Sequence, residues 1–438
     1  MKLSDNIDKV VWSLLDKGLY VLYGFVVILQ IRRIEPAELG LFSILIALHT
    51  WIFVIADSLF LQSIIQFGFD PKTEKQANTF SFVFLVMFVG ALTVAFSLLS
   101  NLWINLFNEA GLGKVATFLP WLSLLTIPRM YFLKFAYKHS DMLRVFVIDS
   151  AFFLTMSSIT IYLFFTQPIF TFHTLIKIYF SGTIFSSIVA VIIAKRYVKL
   201  GFNGELKLKN YLNFGVPMML LSLFQSIPRQ LDVLFLQYFF QSKIVGIYYS
   251  AKTLFRLFEE ALNAGYSLVY PTAVRLIAKN RKDELESLII KSTSFTFLGL
   301  FSLFIILEFG GSSLFIKFLL PSKYLLSVDF FNIMLISTLF MSLQLYASIM
   351  IAEKKLKLVV IYIFISALLS VSVFVGIGVM GLASLMPLGL VSYYFSLGTL
   401  VYLQLRKEHN LKLFYLFQGA RDFFNFVQNK FRSKRSNP

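Results

Sequence analysis

Long runs of apolar residues, separated by short polar stretches, recur along the whole of this 438-residue chain. A helix of about twenty residues, rising about 1.5 Å per residue, crosses a hydrocarbon core of about 30 Å, and the runs reach that length. Backbone groups in such a core must be hydrogen-bonded, so the runs are helices or barrel strands, and they are too long and continuous for strands. The pattern predicts about twelve transmembrane helices, over 11–31, 40–62, 80–106, 116–136, 145–167, 172–197, 212–239, 245–272, 289–308, 328–352, 357–377 and 380–404.

The composition supports this interpretation. The chain is 58% hydrophobic and 14% charged, whereas soluble domains average about 45–50% apolar and about 25% charged residues. The predicted fold class is therefore an all-α polytopic membrane protein. The absence of cysteine excludes disulfides, zinc–thiolate sites and thiol chemistry. The sequence has no Walker-type phosphate-binding loop, so ATP hydrolysis is not expected as the energy source, and we predict no cofactor, no metal and no nucleic-acid partner.

The positive charges alternate between successive loops. Roughly 28 Lys and Arg residues fall in one set of loops with the two termini, and roughly 6 fall in the other set, and cytoplasmic loops are the ones that retain such residues. The alternation supports an even number of spans. We therefore predict that both termini lie in the cytoplasm.

The connection between the sixth and seventh predicted helices divides the spans into two groups of six. A faint repeat accompanies the division, because PAELGLF at 36–42 resembles SKIVGIY at 242–248, about 206 residues later. Since six is even, both halves begin on the same side, which predicts two bundles related by a parallel repeat. We predict an N-terminal six-helix bundle over 1–197, a basic cytoplasmic linker over 198–211, a C-terminal six-helix bundle over 212–404 and a basic amphipathic cytoplasmic tail over 405–438.

Ionisable residues lie inside the predicted spans, where each costs about 2.5–3.5 kcal/mol on insertion scales. Such residues usually face a protein interior or a water-filled cavity. Lys252, Arg256 and Glu260 follow at intervals of four, so they line one face of the eighth helix. Arg229 and Asp232 share a face of the seventh helix, next to a proline that is expected to kink it. Their surplus positive charge indicates an anionic cargo, such as a pyrophosphate.

These residues also have a structural explanation. Arg229 with Asp232, and Arg256 with Glu259 or Glu260, are equally well explained as neutralised pairs, because buried charges are normally paired. A structural role, in packing or in anchoring a helix end, is the alternative for His49, Arg32 and Arg33.

Three segments resemble the polysaccharide and oligosaccharide flippases (Wzx-type) of the multidrug/oligosaccharidyl-lipid/polysaccharide exporter superfamily. WSLLDKGLYVLYGFVVILQIRRIEPAELGLFSI at 12–44 is similar to the first span of that family and the Pro-x-x-x-Gly start of the second. The segment 213–239 is similar to the seventh span with its Arg and Asp, and 245–278 to the eighth. The three segments cover about a fifth of the chain. The chain lacks the two additional helices of the peptidoglycan-precursor branch.

The resemblance implies two six-helix bundles that expose a central cavity to either side in turn. The implied function is transport of undecaprenyl-diphosphate-linked oligosaccharide repeat units from the cytoplasmic to the periplasmic face, for synthesis of O-antigen of lipopolysaccharide, capsule or exopolysaccharide. The implied location is the bacterial inner membrane, with membrane lipids and the polysaccharide polymerase machinery as further partners. Candidates for substrate binding in the cavity are Lys17, Arg33, Arg129, Arg229, Lys252 and Arg256, and candidates for ion coupling are Asp16, Asp232 and Glu260.

Two other functions fit the sequence less well. An ion-coupled drug or cation antiporter of the same superfamily would need surplus acid in the cavity, whereas the surplus here is basic. A membrane sugar polymerase would need a sizeable periplasmic loop with catalytic residues, and the longest predicted outer loop, 309–327, contains mainly apolar residues and two lysines. The sequence therefore predicts a transporter and not an enzyme.

Overall fold

The computed structural model describes residues 7–409 and residue 411. Over these residues the secondary structure is helical, with a single isolated bridge between Ile34 and Phe170 and no β-strand. The all-α prediction is confirmed. The predicted amphipathic tail, 405–438, lies mostly outside the described residues.

The chain forms two compact units. Unit 1 comprises Met1–Ser250 with Leu319–Tyr324, and unit 2 comprises Ala251–Phe318 with Leu325–Pro438. The helices of unit 1 are α1 (Ile7–Arg33), α2 (Pro36–Ala56), α3 (Gln62–Phe67), α4 (Glu74–Leu98), α5 (Ser100–Phe107), α6 (Leu112–Lys138), α7 (Met142–Thr166), α8 (Phe172–Ala194), α9 (Leu208–Ser226) and α10 (Asp232–Phe239). Helix α11 (Ser242–Ala278) begins in unit 1 and continues into unit 2.

Unit 2 contains the remaining helices. They are α12 (Lys282–Ile306), α13 (Ser312–Leu319), α14 (Ser327–Ile336), α15 (Thr338–Met341), α16 (Leu345–Ala352), α17 (Leu356–Val379) and α18 (Leu388–His409). The division of the bundles at 197 and 212 stays a prediction.

Every predicted span coincides with a helix or with two or three helices in line. Among the described residues, nine helical segments are long and apolar enough to cross a membrane. The other predicted spans are helical too and correspond to α6, to α9 with α10, and to α11. Two of these carry several charges within the helix, among them Arg129 and Lys134 in α6 and Lys252 and Arg256 in α11. The protein is a multi-pass membrane protein.

Two of the helical spans in unit 1 contain a π-helical turn. One turn, Asp57–Leu61, joins α2 to α3, and the other, Ile227–Leu231, joins α9 to α10. The second turn contains Pro228, which has no backbone N–H to donate, so the predicted irregularity lies where the sequence placed it. Turns of this type interrupt the regular hydrogen bonding and are frequent at functional sites.

The connection after α8 is packed on the start of α4. The Gln76 side chain donates a hydrogen bond to the carbonyl of Phe202 over 2.8 Å and accepts one from the backbone N–H of Leu206 over 2.7 Å. Asn78 donates to the carbonyl of Lys199 over 3.0 Å. These bonds satisfy backbone groups of the linker, so it follows a defined path over unit 1.

Two glycines bring the starts of α2 and α11 into backbone contact. A Cβ atom added at Gly40 would lie 1.9 Å from the carbonyl oxygen of Ser242, and one added at Gly246 would lie 1.8 Å from that of Pro36. The contact is reciprocal. Gly40, the last residue of PAELG, meets Ser242, the first residue of SKIVG, and Gly246, the last residue of SKIVG, meets Pro36, the first residue of PAELG. Only glycine permits such a close approach of two backbones.

Candidate functional site

A cavity of about 520 Å³ lies inside unit 1. Its wall is formed by α2, the π-helical turn that follows α2, α3, and α6 to α9. This volume is within the range of about 300–1,000 Å³ that is usual for small-molecule sites. The wall combines aromatic side chains, hydroxyl and amide groups, and a few charges.

Arg129 reaches the cavity from α6 and is held by several groups. Its guanidinium forms an ion pair with Asp149, and its Nε donates a hydrogen bond to Ser186 Oγ over 3.0 Å. The guanidinium also stacks on the ring of Phe152, 4.5 Å from the ring centroid. The side chains of Arg129 and Asp149 are only 14% and 10% exposed. The sequence indicated Arg129 as a candidate, but it did not identify Asp149 as the acid that neutralises it. The available signal was the position of Asp149 within the predicted span 145–167.

A second ion pair lies at the π-helical turn. Lys134 Nζ is 2.7 Å from Asp57 Oδ1, and Gln62 donates to Asp57 Oδ2 over 2.9 Å. Asp57 and Gln62 line the cavity. The two charged residues are 77 positions apart, and only the packing of α6 against the turn brings them together. The predicted span 116–136 includes Lys134, and α6 continues beyond that span to Lys138.

His49 lines the cavity as a packed polar residue. Its ring nitrogens lie 3.2 Å from Ser123 Oγ and 3.4 Å from Thr126 Oγ1. The ring also contacts Phe53, with centroids 4.9 Å apart. These contacts fit the structural explanation given for His49 above.

The candidates on α1 lie elsewhere in unit 1. Asp16 is half-buried beside Asp149, whereas the side chain of Lys17 is exposed. Arg33, at the end of α1, donates to the carbonyls of Phe164 and Pro168 and stacks on the Phe164 ring, 4.4 Å from its centroid. Arg33 thus fastens the end of α1 to the end of α7.

Two further candidates lie at the second π-helical turn. Arg229 is half-buried within the turn, and Asp232, the first residue of α10, is fully buried. Tyr248 donates a hydrogen bond to Asp232 Oδ2 over 2.5 Å. This bond joins α10 to the start of α11 within unit 1.

The remaining candidates are in unit 2, on α11. Lys252 is 3% exposed, and Arg256 and Glu260 are half-buried. Because α11 is one continuous helix, the three residues share a face, as predicted. Glu259 accepts a hydrogen bond of 2.6 Å from the Tyr394 hydroxyl.

An ionisable cluster of unit 2 joins the loop between α16 and α17 to the end of α18. It consists of Glu353 and Lys355 in the loop and Glu408 and His409 in α18. Burial alone would raise the pKa of Glu353, but hydrogen bonds from His409 and Lys355 outweigh it and lower this pKa. Burial alone would lower the pKa of Lys355, and its bonds to Glu353 and Glu408 raise it instead. Lys355 thus forms ion pairs with both carboxylates and joins the end of α18 to this loop.

The fold is that of transporters of the MOP superfamily. It is similar to a lipid II flippase, MurJ, in an inward closed conformation, with a TM-score of 0.71 at 13% identity, covering 97% of this chain and 93% of that one. It is also similar to an inward-facing multidrug resistance transporter of the MATE family, with a TM-score of 0.67 at 13% identity over 90% and 94% of the chains. A MOP superfamily transporter from Pyrococcus furiosus, described as having a binding pocket of reversed polarity, gives 0.62 at 12% identity over 91% and 94%.

The sequence matches a family profile described as "Polysaccharide biosynthesis protein" over residues 31–329. The match covers more than half of the chain, and the chain belongs to this polysaccharide biosynthesis family. The resemblance seen in the sequence is confirmed. A comparison with curated proteins found no significant match.

Proposed function

We propose that this protein is a flippase that moves polyprenyl-diphosphate-linked oligosaccharides from the cytoplasmic to the periplasmic face of the bacterial inner membrane. The family match over residues 31–329 is the main support for the proposal, because it indicates a role in polysaccharide biosynthesis for a chain with a transporter fold. The polar cavity in unit 1 supports it, since a glycan crossing the bilayer needs hydrogen-bonding groups in place of water. The products serve O-antigen, capsule or exopolysaccharide synthesis, and the polysaccharide polymerase machinery is the partner that receives them.

The protein needs to shield only the polar part of its cargo. The polyprenyl tail stays in the lipid, while the sugar crosses through the wet interior. Arg229 in unit 1, and Lys252 and Arg256 in unit 2, are the candidates for binding the diphosphate, since guanidinium and ammonium groups bind phosphate oxygens. A negative-inside potential contributes about 2.3 kcal/mol per charge per 100 mV to outward movement of the anionic headgroup. Asp16, Asp232 and Glu260 remain the candidates for coupling to an ion.

Deletion of the gene tests the proposal. We expect lipid-linked oligosaccharide to accumulate on the cytoplasmic face of the membrane in the deletion strain. We expect the same in strains that carry Arg229→Ala or Lys252→Ala at normal protein levels. If the deletion strain accumulates none, the flippase function is wrong and drug antiport becomes the better hypothesis. Accumulation in the deletion strain alone would leave the function standing and exclude these two residues.

A further inference from the structure

The charges at the cavity of unit 1 are compensated by groups of unit 1 itself. Arg129 is paired with Asp149, and Lys134 with Asp57. A diphosphate bound here would have to take one cation from its partner and leave a carboxylate without compensation in a poorly hydrated site, which is costly. These pairs argue against this cavity as the site of the diphosphate.

The rest of the wall suits a neutral, hydroxyl-rich ligand. Phe53, Phe152 and Tyr179 line the cavity, and the rings of Phe152 and Tyr179 are packed edge to face, with centroids 6.0 Å apart. Apolar C–H faces of a sugar ring pack on such aromatic faces. The cavity therefore has an apolar surface of the kind that a pyranose needs.

Polar side chains of three helices also line the cavity. Thr50 of α2, Gln62 of α3 and Ser222 of α9 line the cavity. Ser222 Oγ lies 2.6 Å from Ser58 Oγ, and a serine hydroxyl can donate one hydrogen bond and accept others. Gln62 uses its amide nitrogen on Asp57, and its carbonyl oxygen is an additional acceptor. Hydroxyl and amide groups that both donate and accept match the hydroxyls of a sugar.

We infer that the cavity of unit 1 binds a neutral sugar residue of the transported glycan, with Phe152 and Tyr179 packing on its ring. This inference rests on the proposed function and assigns the sugar to a place separate from the diphosphate. The paired charges orient Gln62 and Phe152 and leave the cavity close to neutral. Discrimination between glycans then depends on the aromatic and hydroxyl-bearing side chains of unit 1.

The natural chain has no cysteine, so one introduced cysteine reports on one position. Ser222→Cys places a thiol on the cavity wall, and Thr50→Cys is a second variant on another helix. Asn203→Cys, on the exposed linker, is the control. The purified full-length protein is labelled with a maleimide in the presence of one of two lipids. One is polyprenyl diphosphate bearing the glycan, extracted from the deletion strain, and the other is polyprenyl diphosphate without sugar.

The glycan-bearing lipid, at about ten times its dissociation constant, should slow labelling at Ser222→Cys about tenfold. The sugar-free lipid should leave that rate unchanged, and neither lipid should affect Asn203→Cys. Equal protection by both lipids would overturn the inference, because the diphosphate or the tail would then fill the cavity. It is also overturned if neither lipid protects Ser222→Cys or Thr50→Cys while the glycan-bearing lipid still raises the unfolding temperature. Both of those results leave the flippase standing, whereas a deletion strain without accumulated glycan contradicts the flippase itself.

Discussion

At the scale of single residues, the charged side chains at the cavity of unit 1 form ion pairs, Arg129 with Asp149 and Lys134 with Asp57. The side chains of Lys134 and Asp57 are only 10% and 24% exposed. Their attraction compensates the cost of removing both charges from water, and that compensation is lost when one partner is removed. Removal of one partner is therefore expected to destabilise the packing of α6 against the π-helical turn.

We predict that Lys134→Ala lowers the free energy of unfolding by about 3–5 kcal/mol, because it leaves the Asp57 carboxylate buried without its cation. Lys72→Ala is the control, since the Lys72–Glu205 pair has side chains 67% and 66% exposed. The control should change stability by about 1 kcal/mol or less. Thermal unfolding in detergent checks both variants. Equal stability of Lys134→Ala and the natural protein would show that the pair is not stabilising.

At the scale of helices, the reciprocal glycine contact is the most demanding feature of the packing. The carbonyl of Ser242 and that of Pro36 occupy the space that side chains at Gly40 and Gly246 would fill. The starts of α2 and α11 can therefore approach this closely only without a Cβ at either position. The contact lies at the same end of α2 as Arg33 and at the opposite end from the cavity residue Asp57.

We predict that Gly40→Ala and Gly246→Ala each destabilise the protein by about 1–3 kcal/mol, since the helices must move apart to accommodate the methyl group. Gly90→Ala, in α4, is the matched control, because an added Cβ there meets nothing within 4 Å. The control should be neutral or stabilising by about 0.5–1 kcal/mol, as alanine is the better helix former. The unfolding temperatures of the three variants test this prediction. If all three behave alike, the close approach of α2 and α11 is not a determinant of stability.

At the scale of the whole molecule, the charge pattern predicts the orientation of the chain in the membrane. This pattern predicts that the linker after α8 lies on the side rich in Lys and Arg and that the segment Ser322–Tyr324 lies on the opposite side. Both segments expose positions to which a cysteine can be added, Asn203 and Ser322. The orientation can thus be measured in a background without other thiols.

We expect a membrane-impermeant maleimide added to intact cells, with the outer membrane permeabilised, to label Ser322→Cys and not Asn203→Cys. Inside-out vesicles should give the opposite result. The reason is that cytoplasmic loops retain Lys and Arg. Labelling of Asn203→Cys from outside would place the termini in the periplasm and reverse the direction in which the proposed flippase works.

The helical type and the approximate bounds of the spans were predictable from the sequence, because a chain in hydrocarbon must satisfy its backbone groups locally. The predicted 145–167 coincides closely with α7 (Met142–Thr166), and the π-helical turn Ile227–Leu231 contains Pro228, where the sequence predicted an irregularity. The π-helical turn at Asp57 was not predicted, and no proline marks it. The predicted span 289–308 ends at the irregular turn Leu307–Gly311, but the helix α13 that follows lies in the predicted loop 309–327.

The candidate site was only partly accessible from the sequence. Arg129 and Asp16 could be recognised as costly intramembrane charges from their positions in apolar runs. Their environment could not be recognised, because the pairing of Arg129 with Asp149 and of Lys134 with Asp57 joins residues of different helices. The contacts of Arg33 could not be predicted either, because only the structure shows that it donates hydrogen bonds to carbonyls at the end of α7.

The sequence by itself determined that this protein is a helical membrane protein and indicated its polysaccharide biosynthesis family, because hydropathy, charge alternation and short motifs are local properties of the chain. The tertiary structure decided which charges are neutralised, which rings line the cavity and where α2 meets α11. Those features depend on distances between segments far apart in the chain. Ion pairs, cavities and backbone contacts exist only once the helices are packed.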